Sequence, residues 1–296
     1  MKIFDCFMYF DEDILLDLRL NYLNSYVDKF VIVESKYAHN GKKRSLNFNI
    51  NNFEKFKHKI VYLVLDKETP GIANFDDKDH IDITNSKYFL NASRRENFQR
   101  NYITEGLKDA EPDDIILISD LDEIPNLEQN NLKNIKNKLI FFKQKLFYYK
   151  FNLKLKSFEW FGTKACRKND LLSPQWLRNI KDKNYPFWRL DALFSKTKYQ
   201  NIHFIENGGW HFSYLKTAKN IEKKLTSYLH HREYDLKPIG EEGIEKMIIN
   251  KKPVYNLRVD SKKNKFDGGE ELKITSTDEL PNYIKNNLKK YKNWLE

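Results

Sequence analysis

Residues 113–125 read DDIILISDLDEIP. Four apolar residues, Ile115 to Ile118, run without a polar break, and Ser119 then hands over to Asp120, Asp122 and Glu123. An uninterrupted apolar run is how a strand buried on both faces of a parallel sheet reads. Extended chain puts residues i and i+2 on one side, so Asp120 and Asp122 share a face. In open α/β sheets ligands bind beyond the carboxyl ends of the strands. Two carboxylates therefore stand where a ligand is expected.

Working outward toward the N-terminus, KIFDCFMY (2–9), KFVIVE (29–34) and KIVYLVL (59–65) read as further strands. Residues 13–27 read as a helix with Ile14, Leu18, Tyr22 and Tyr26 on one face. Residues 91–108 (NASRRENFQRNYITEGLK) read as a second helix, and the polar stretch 66–88 as a long loop. Strands alternating with helices predict βαβ units and a mostly parallel sheet, an α/β fold of Rossmann type. Beyond residue 137 the pattern changes. Residues 138–155 (KLIFFKQKLFYYKFNLKL) predict a long strand or hairpin, 157–205 mix aromatic runs with turns, and a helix is expected near 217–230. Residues 280–296 carry Leu280, Ile284, Leu288, Tyr291 and Leu295 at near-helical spacing with lysines between them. No repeat or linker interrupts the chain, so a single domain over 1–296 is expected.

Bulk properties narrow the classes. At 296 residues the chain is long enough for one large α/β domain. Its 40% hydrophobic content excludes global disorder. Cys6 and Cys166 are too few for a disulfide framework and read as buried thiols, which fits a reducing cytoplasm. MKIFDCFMYFDED lacks the apolar core and cleavage site of a secretory leader, and no run approaches the ~18 apolar residues of a membrane span. The net charge of +10 permits nucleic acid, anionic lipid or a small anionic substrate. The lysines are scattered rather than striped, so nucleic acid is not an expected partner.

Three constellations carry chemistry. Asp120 and Asp122 suit a hard divalent ion, which binds through one or two carboxylates plus substrate phosphates; such an ion neutralises the diphosphate leaving group of a nucleotide sugar. The bland alternative is an acid-decorated helix start. Arg94, Arg95 and Arg100, with Asn97 and Gln99, make the 91–108 helix cationic and suited to phosphate oxygens. Pairs such as Glu96–Arg100 on a solvated helix would explain them equally. Gly208-Gly209-Trp210-His211 combines two glycines, an apolar plate for a sugar or base, and a side chain that ligates metal or transfers protons.

Other classes fare less well. A sugar nucleotidyltransferase usually carries a Gly-rich phosphate loop near its first strand, and residues 5–13 hold no glycine. A phosphatase using a strand-end Asp nucleophile usually carries it near the N-terminus and wants Thr or Val soon after the second Asp; here the pair is mid-chain and followed by Glu123 and Ile124. A non-catalytic carbohydrate- or nucleic-acid-binding module would not require the aligned acids.

FDEDILLDLRLNYL, VDKFVIVES, RRENFQRN, DDIILISDLDEIP, GGWHFSYL and KKLTSYLHH, in this order, resemble glycosyltransferase family 17 over most of the chain. The resemblance implies a GT-A-like fold, with residues 1–136 binding the nucleotide sugar and 137–296 facing the acceptor. It implies Mn²⁺ or Mg²⁺, a UDP-N-acetylglucosamine donor, a glycan or glycolipid acceptor, and inversion at the anomeric carbon. Asp120 and Asp122 match the family's Asp-x-Asp; Gly209, Trp210 and His211 match its Gly-Trp-His. In that setting Glu34, at the end of the second strand, is expected beside the nucleotide and Arg95 toward the diphosphate. Metal ligands are expected to be Asp120, Asp122 and His211. Candidates for the catalytic base are Glu206, Glu123 and His211, with the ligand role favoured for His211 and a loop-orienting role for Glu123. The basic C-terminal segment either makes peripheral membrane contact or packs its apolar stripe against the domain and keeps its lysines in water.

Overall fold

The computed structural model describes residues 1–186, 188–257 and 269–296. One sheet runs through both halves. Strands β1 (Ile3–Met8), β2 (Lys29–Ser35), β3 (Ile60–Leu65) and β4 (Ile115–Asp120) are parallel neighbours in the order β3-β2-β1-β4. The first five residues of β1 and of β4 are buried, as apolar runs covered on both faces require. Helix α1 (Asp13–Leu23) and the long α2 (Ile81–Asn101) provide the crossovers.

Beyond β4 the sheet becomes mixed. The short β5 (Glu123–Pro125) follows at once; β6 (Leu139–Tyr148) and β7 (Leu153–Arg167) form an antiparallel hairpin, and β7 pairs antiparallel with β4. Strands β8 (Ile202–Ile205) and β9 (Gly209–Ser213) both run parallel to β6, and β9 carries β5 on its other edge. A two-residue strand β10 (Lys273–Ile274) extends β7. Short helices α3 (Pro174–Asn179), α4 (Leu190–Leu193), α5 (Ala218–Leu225), α6 (His231–Leu236), α7 (Gly240–Ile249), α8 (Asn282–Lys285) and α9 (Leu288–Tyr291) complete the chain. The architecture is a mixed α/β sheet flanked by helices, compatible with a glycosyltransferase fold.

Several sequence expectations shift. Helix α2 starts ten residues before the expected 91, capped by His80, whose ring accepts from the backbone N–H of Asp82. Ile81 and Ile83 are half-exposed, so these first turns show no apolar period that would have marked them. The polar loop therefore shortens to 66–80 and is pinned onto α2: Asn91 bonds both backbone groups of Ala73, Arg94 donates to the carbonyl of Gly71, and Arg95 pairs with Glu68 at 3.0 Å. The expected irregular region 157–205 begins instead as the second half of β7. The helix near 217–230 ends at Leu225.

The membrane expectation for the C-terminal segment is corrected. Leu280, Ile284 and Tyr291 are buried in the main core beside α1, and Leu295 packs against it; only Leu288 of the stripe is exposed. The apolar face is spent on the domain itself, and the lysines keep to water. Among the described residues no helix is long and apolar enough to cross a membrane.

Candidate active site

Strand β4 stops at Asp120, and two residues later β5 begins with Glu123. The β5–β9 register sets Glu123 opposite His211, Ile124 opposite Trp210 and Pro125 opposite Gly209. Two motifs some 90 residues apart are thus zipped into one corner. Gly209 permits it: its φ is +128°, and a Cβ there would lie 2.1 Å from the carbonyl oxygen of Ile124.

The corner is braced from beneath by Arg19 on α1, which is 0% exposed. Its guanidinium makes a two-pronged ion pair with the equally buried Asp5 on β1, at 2.6 and 2.7 Å. The remaining nitrogen donates to the carbonyls of Asp120, Leu121 and Glu123 at 3.1, 3.1 and 2.7 Å. Arginine's fork suits this task; a lysine point charge could not bind a carboxylate and three carbonyls in fixed directions.

A cavity of about 690 Å³ opens above the corner. Asp120, Asp122, His211, Glu12, Glu96 and Arg100 line it, together with Arg178 from α3 and Lys224 from α5. Asp120 is gripped by two arginines, Arg100 at 3.0 Å and Arg178 at 3.1 Å. Arg178 also forks onto Glu123 at 2.8 and 2.9 Å. Asp122 faces Lys224 at 3.4 Å and the His211 Nε2 at 3.5 Å. Lys224 is shared with Glu12 at 3.3 Å.

Burial alone would raise the Asp120 carboxyl, but Arg178 and Arg100 outweigh it and hold it below the usual carboxylate range. Burial acts the same way on Asp122 and is overcome by Lys224 and His211. For His211 burial opposes charge, yet Asp122, Glu123 and Asp120 together raise its pKa above the ordinary imidazole value. The corner is therefore a pair of ionised acids inside a ring of cations.

Helix α3 is itself anchored. Lys164, buried under it on β7, donates to the carbonyls of Arg178 and Ile180 at 3.0 and 2.6 Å and pairs with Asp182 at 2.7 Å. These bonds satisfy carbonyls at the helix C-terminus and aim Arg178 at the corner.

A model of glycosyltransferase family 17 matches residues 1–296. The chain belongs to that family. Similar curated relatives are the human and rat proteins named beta-1,4-mannosyl-glycoprotein 4-beta-N-acetylglucosaminyltransferase, each 31% identical over 119 residues. The mouse protein of the same name is 30% identical over a stretch of the same length. The matched stretch covers 38% of this chain and 19% of each relative.

Within this family-17 chain the expected site residues fall into two groups. Asp120, Asp122, His211, Asn97, Gln99 and Arg100 line the cavity. The others do not. Trp210 is buried, its indole N–H donating to the carbonyl of Glu279 at 2.6 Å and its ring set edge-on to Tyr22. Alternation along β9 explains this, since His211 points to the cavity and its neighbour must point away. Trp160 on β7 lines the cavity instead, 5.2 Å from the His211 ring. Glu34 is 0% exposed and accepts from Arg44, Tyr62 and the backbone N–H groups of Asn47 and Phe48, so it organises the loop after β2 rather than a nucleotide. Arg94 and Arg95 hold the 66–80 loop outside the cavity. Glu206 has a side chain 72% exposed and pairs with Lys143, away from the cavity. Glu123 is 0% exposed, with both oxygens bound by Arg178 and one also by the Trp160 N–H at 2.6 Å, so it orients the corner and meets no substrate.

The donor set fits a hard divalent ion in kind: two ionised carboxylates with an imidazole beside one of them, and a buried His211 Nδ1 without a partner among the described residues. It does not reach three converged protein ligands, for no group of three or more His, Cys, Asp and Glu side chains gathers among the described residues. An ion held here would complete its shell from substrate phosphate and water, as Mg²⁺ sites commonly do.

Proposed function

We propose that this chain is a GT-A-like inverting glycosyltransferase that moves N-acetylglucosamine from a UDP-sugar to a hydroxyl of a glycan or glycolipid acceptor, with Mn²⁺ or Mg²⁺. The observation that carries this reading is the Asp120–Asp122–His211 corner, set at the end of a parallel strand and open to a cavity sized for small molecules. The names of the relatives support N-acetylglucosamine as the transferred sugar.

Asp120 and Asp122 would hold the ion, with His211 beside Asp122. When bound, the ion supplies positive charge against the departing diphosphate. Arg100 and Arg178 keep Asp120 ionised and fixed, and Arg19 fixes the backbone that carries both acids. Lys224, a cation on a flexible stem, lines the same cavity and would be available to the leaving group. In an inverting transfer the acceptor hydroxyl attacks the anomeric carbon opposite the diphosphate, the bond to the diphosphate breaks, and the hydroxyl proton passes to a base. With Glu206 and Glu123 outside the cavity, its carboxylates among the described residues, other than the aspartate pair, are Glu12 and Glu96.

A panel of nucleotide sugars with Mn²⁺ tests the reading by nucleoside diphosphate release. UDP release from UDP-N-acetylglucosamine, accelerated by a glycan acceptor, is expected. Release from none of the panel, with or without acceptors, contradicts it.

A further inference from the structure

A second cavity, of about 190 Å³, lies behind the wall of the first. Residues alternate between the two: His39 and His230 face the large cavity, Asn40 and His231 the small one. Helix α2 does the same, with Ser93, Glu96 and Asn97 toward one and Asn91 and Arg95 toward the other. The small cavity is bounded on its outer side by the 66–80 loop that Asn91, Arg94 and Arg95 hold in place.

Its chemistry is specific. His231 is buried, 3% exposed. The ring Nδ1 lies 2.9 Å from the carbonyl oxygen of Tyr228. A carbonyl only accepts, so Nδ1 carries the proton. Burial pushes the pKa of His231 down, so the ring is neutral near pH 7 and Nε2 is a bare acceptor. That Nε2 is buried and has no partner among the described residues. A buried acceptor left unpaired costs free energy, so a donor is called for. Phe75 and Tyr88 form the apolar wall, ring centroids 4.5 Å apart. The one cation on the wall among the described residues, Arg95, is already neutralised by Glu68 at 3.0 Å, so no anion is invited. By liquid volume the space equals roughly six waters, below the range of sites for drug-sized molecules.

We propose that this cavity is a subsite for one neutral sugar residue, which donates a hydroxyl to Nε2 of His231 and lays its apolar face on Phe75. The sugar belongs to the acceptor glycan, running from the large cavity past His39 and His230; this last step rests on the transfer reaction proposed above. Holding a non-reacting part of the acceptor would use its binding energy to place the attacking hydroxyl.

The test needs no turnover. Methyl glycosides of glucose, galactose, mannose and N-acetylglucosamine are titrated into the ¹⁵N-histidine-labelled protein, and the imidazole nitrogens are followed by NMR. A saturable shift of the His231 Nε2 resonance is expected with at least one glycoside, and Phe75→Ala should weaken that binding by about tenfold. Phe75 is half-exposed, so this variant keeps the fold. No shift at His231 with any glycoside means that the space holds water only and overturns the proposal. A shift equally strong in Phe75→Ala overturns it too, since the sugar would then lie elsewhere. Binding at His231 in a protein that releases no UDP from any donor would leave this site standing and sink the transfer reading instead.

Discussion

The two aspartates of the corner are held in opposite ways. Asp120 sits between two planar guanidinium groups at hydrogen-bond distance, and one of them, Arg178, is itself forked onto the fully buried Glu123. Asp122, two residues on, meets among the described residues only a lysine at 3.4 Å and an imidazole at 3.5 Å, beyond good hydrogen-bond length. Arginine forks fix direction as well as charge, whereas an ammonium on a four-carbon stem and a titratable ring yield easily. The two acids thus divide the labour. Asp120 is the fixed member of the pair, and Asp122 is the carboxylate free to exchange a protein partner for an incoming metal ion.

The largest effect should come from the acids themselves. Asp122→Ala and Asp120→Ala are each expected to cut turnover by about 10²–10³-fold or more, the scale on which transition-state charge stabilisation acts. The comparison adds a second readout. Asp120→Ala should also lower thermal stability, because Arg100 and Arg178, themselves 4% and 11% exposed, each lose a carboxylate partner, while Asp122→Ala should not. Equal melting temperatures in the two variants would erase the distinction.

Next in size is the brace. Arg178→Ala leaves Glu123 buried without its cation, which is expected to cost about 3–5 kcal/mol of stability in chemical denaturation. Arg178→Lys should recover only part, since lysine cannot fork. Full recovery by lysine would show that charge alone, not geometry, holds the corner.

A smaller effect is expected at the yielding side. His211→Ala should weaken Mn²⁺ binding by at least about tenfold while excess metal partly restores turnover. A ligating imidazole must be neutral, and the acids around His211 raise its pKa above the ordinary value of about 6.5. Mn²⁺ affinity should therefore climb with pH through a midpoint above 6.5. Unchanged affinity with collapsed turnover would move His211 from ligand to base.

How much of this was legible follows the same division. The parallel strands and the Asp120–Asp122 pair were readable because buried strands and strand-end acids leave local patterns. The frame was not, because it is assembled from single residues far apart. Arg178 lies on a six-residue helix with no motif around it, and Trp160 on β7 lies in what reads as a mixed aromatic stretch; Trp210 drew attention through its glycines instead. Arg19 did leave a trace. It is the one basic residue in an otherwise apolar-rich α1 whose leucines cover nearly every side, and Asp5 is the one charge within β1. Two solitary opposite charges in buried elements must find each other or not be tolerated. Glu206 failed for the converse reason: nearness in sequence to His211 says nothing about which way β8 and its turn present the side chain.

The smallest effect concerns the support beneath α3. Burial lowers the pKa of Lys164 to about 8 despite Asp182. Between pH 8 and the ordinary lysine value near 10.4 the unfolded chain binds more protons at this site, so stability should rise with pH there. Relative to Lys164→Met, the parent is expected to gain on the order of 1–3 kcal/mol across that window. Parallel pH curves for the two proteins would show that Lys164 is not desolvated beneath α3.

Calorimetry of UDP-N-acetylglucosamine binding, with and without Mn²⁺, on the parent and on Asp122→Asn tests the central claim most directly. Tight binding that needs Mn²⁺ in the parent, and that Asp122→Asn weakens by about two orders of magnitude or more, is the result expected if Asp122 holds the metal that meets the donor's diphosphate. Binding of equal strength in both proteins, or binding indifferent to Mn²⁺, would contradict the assignment of this corner as the donor site.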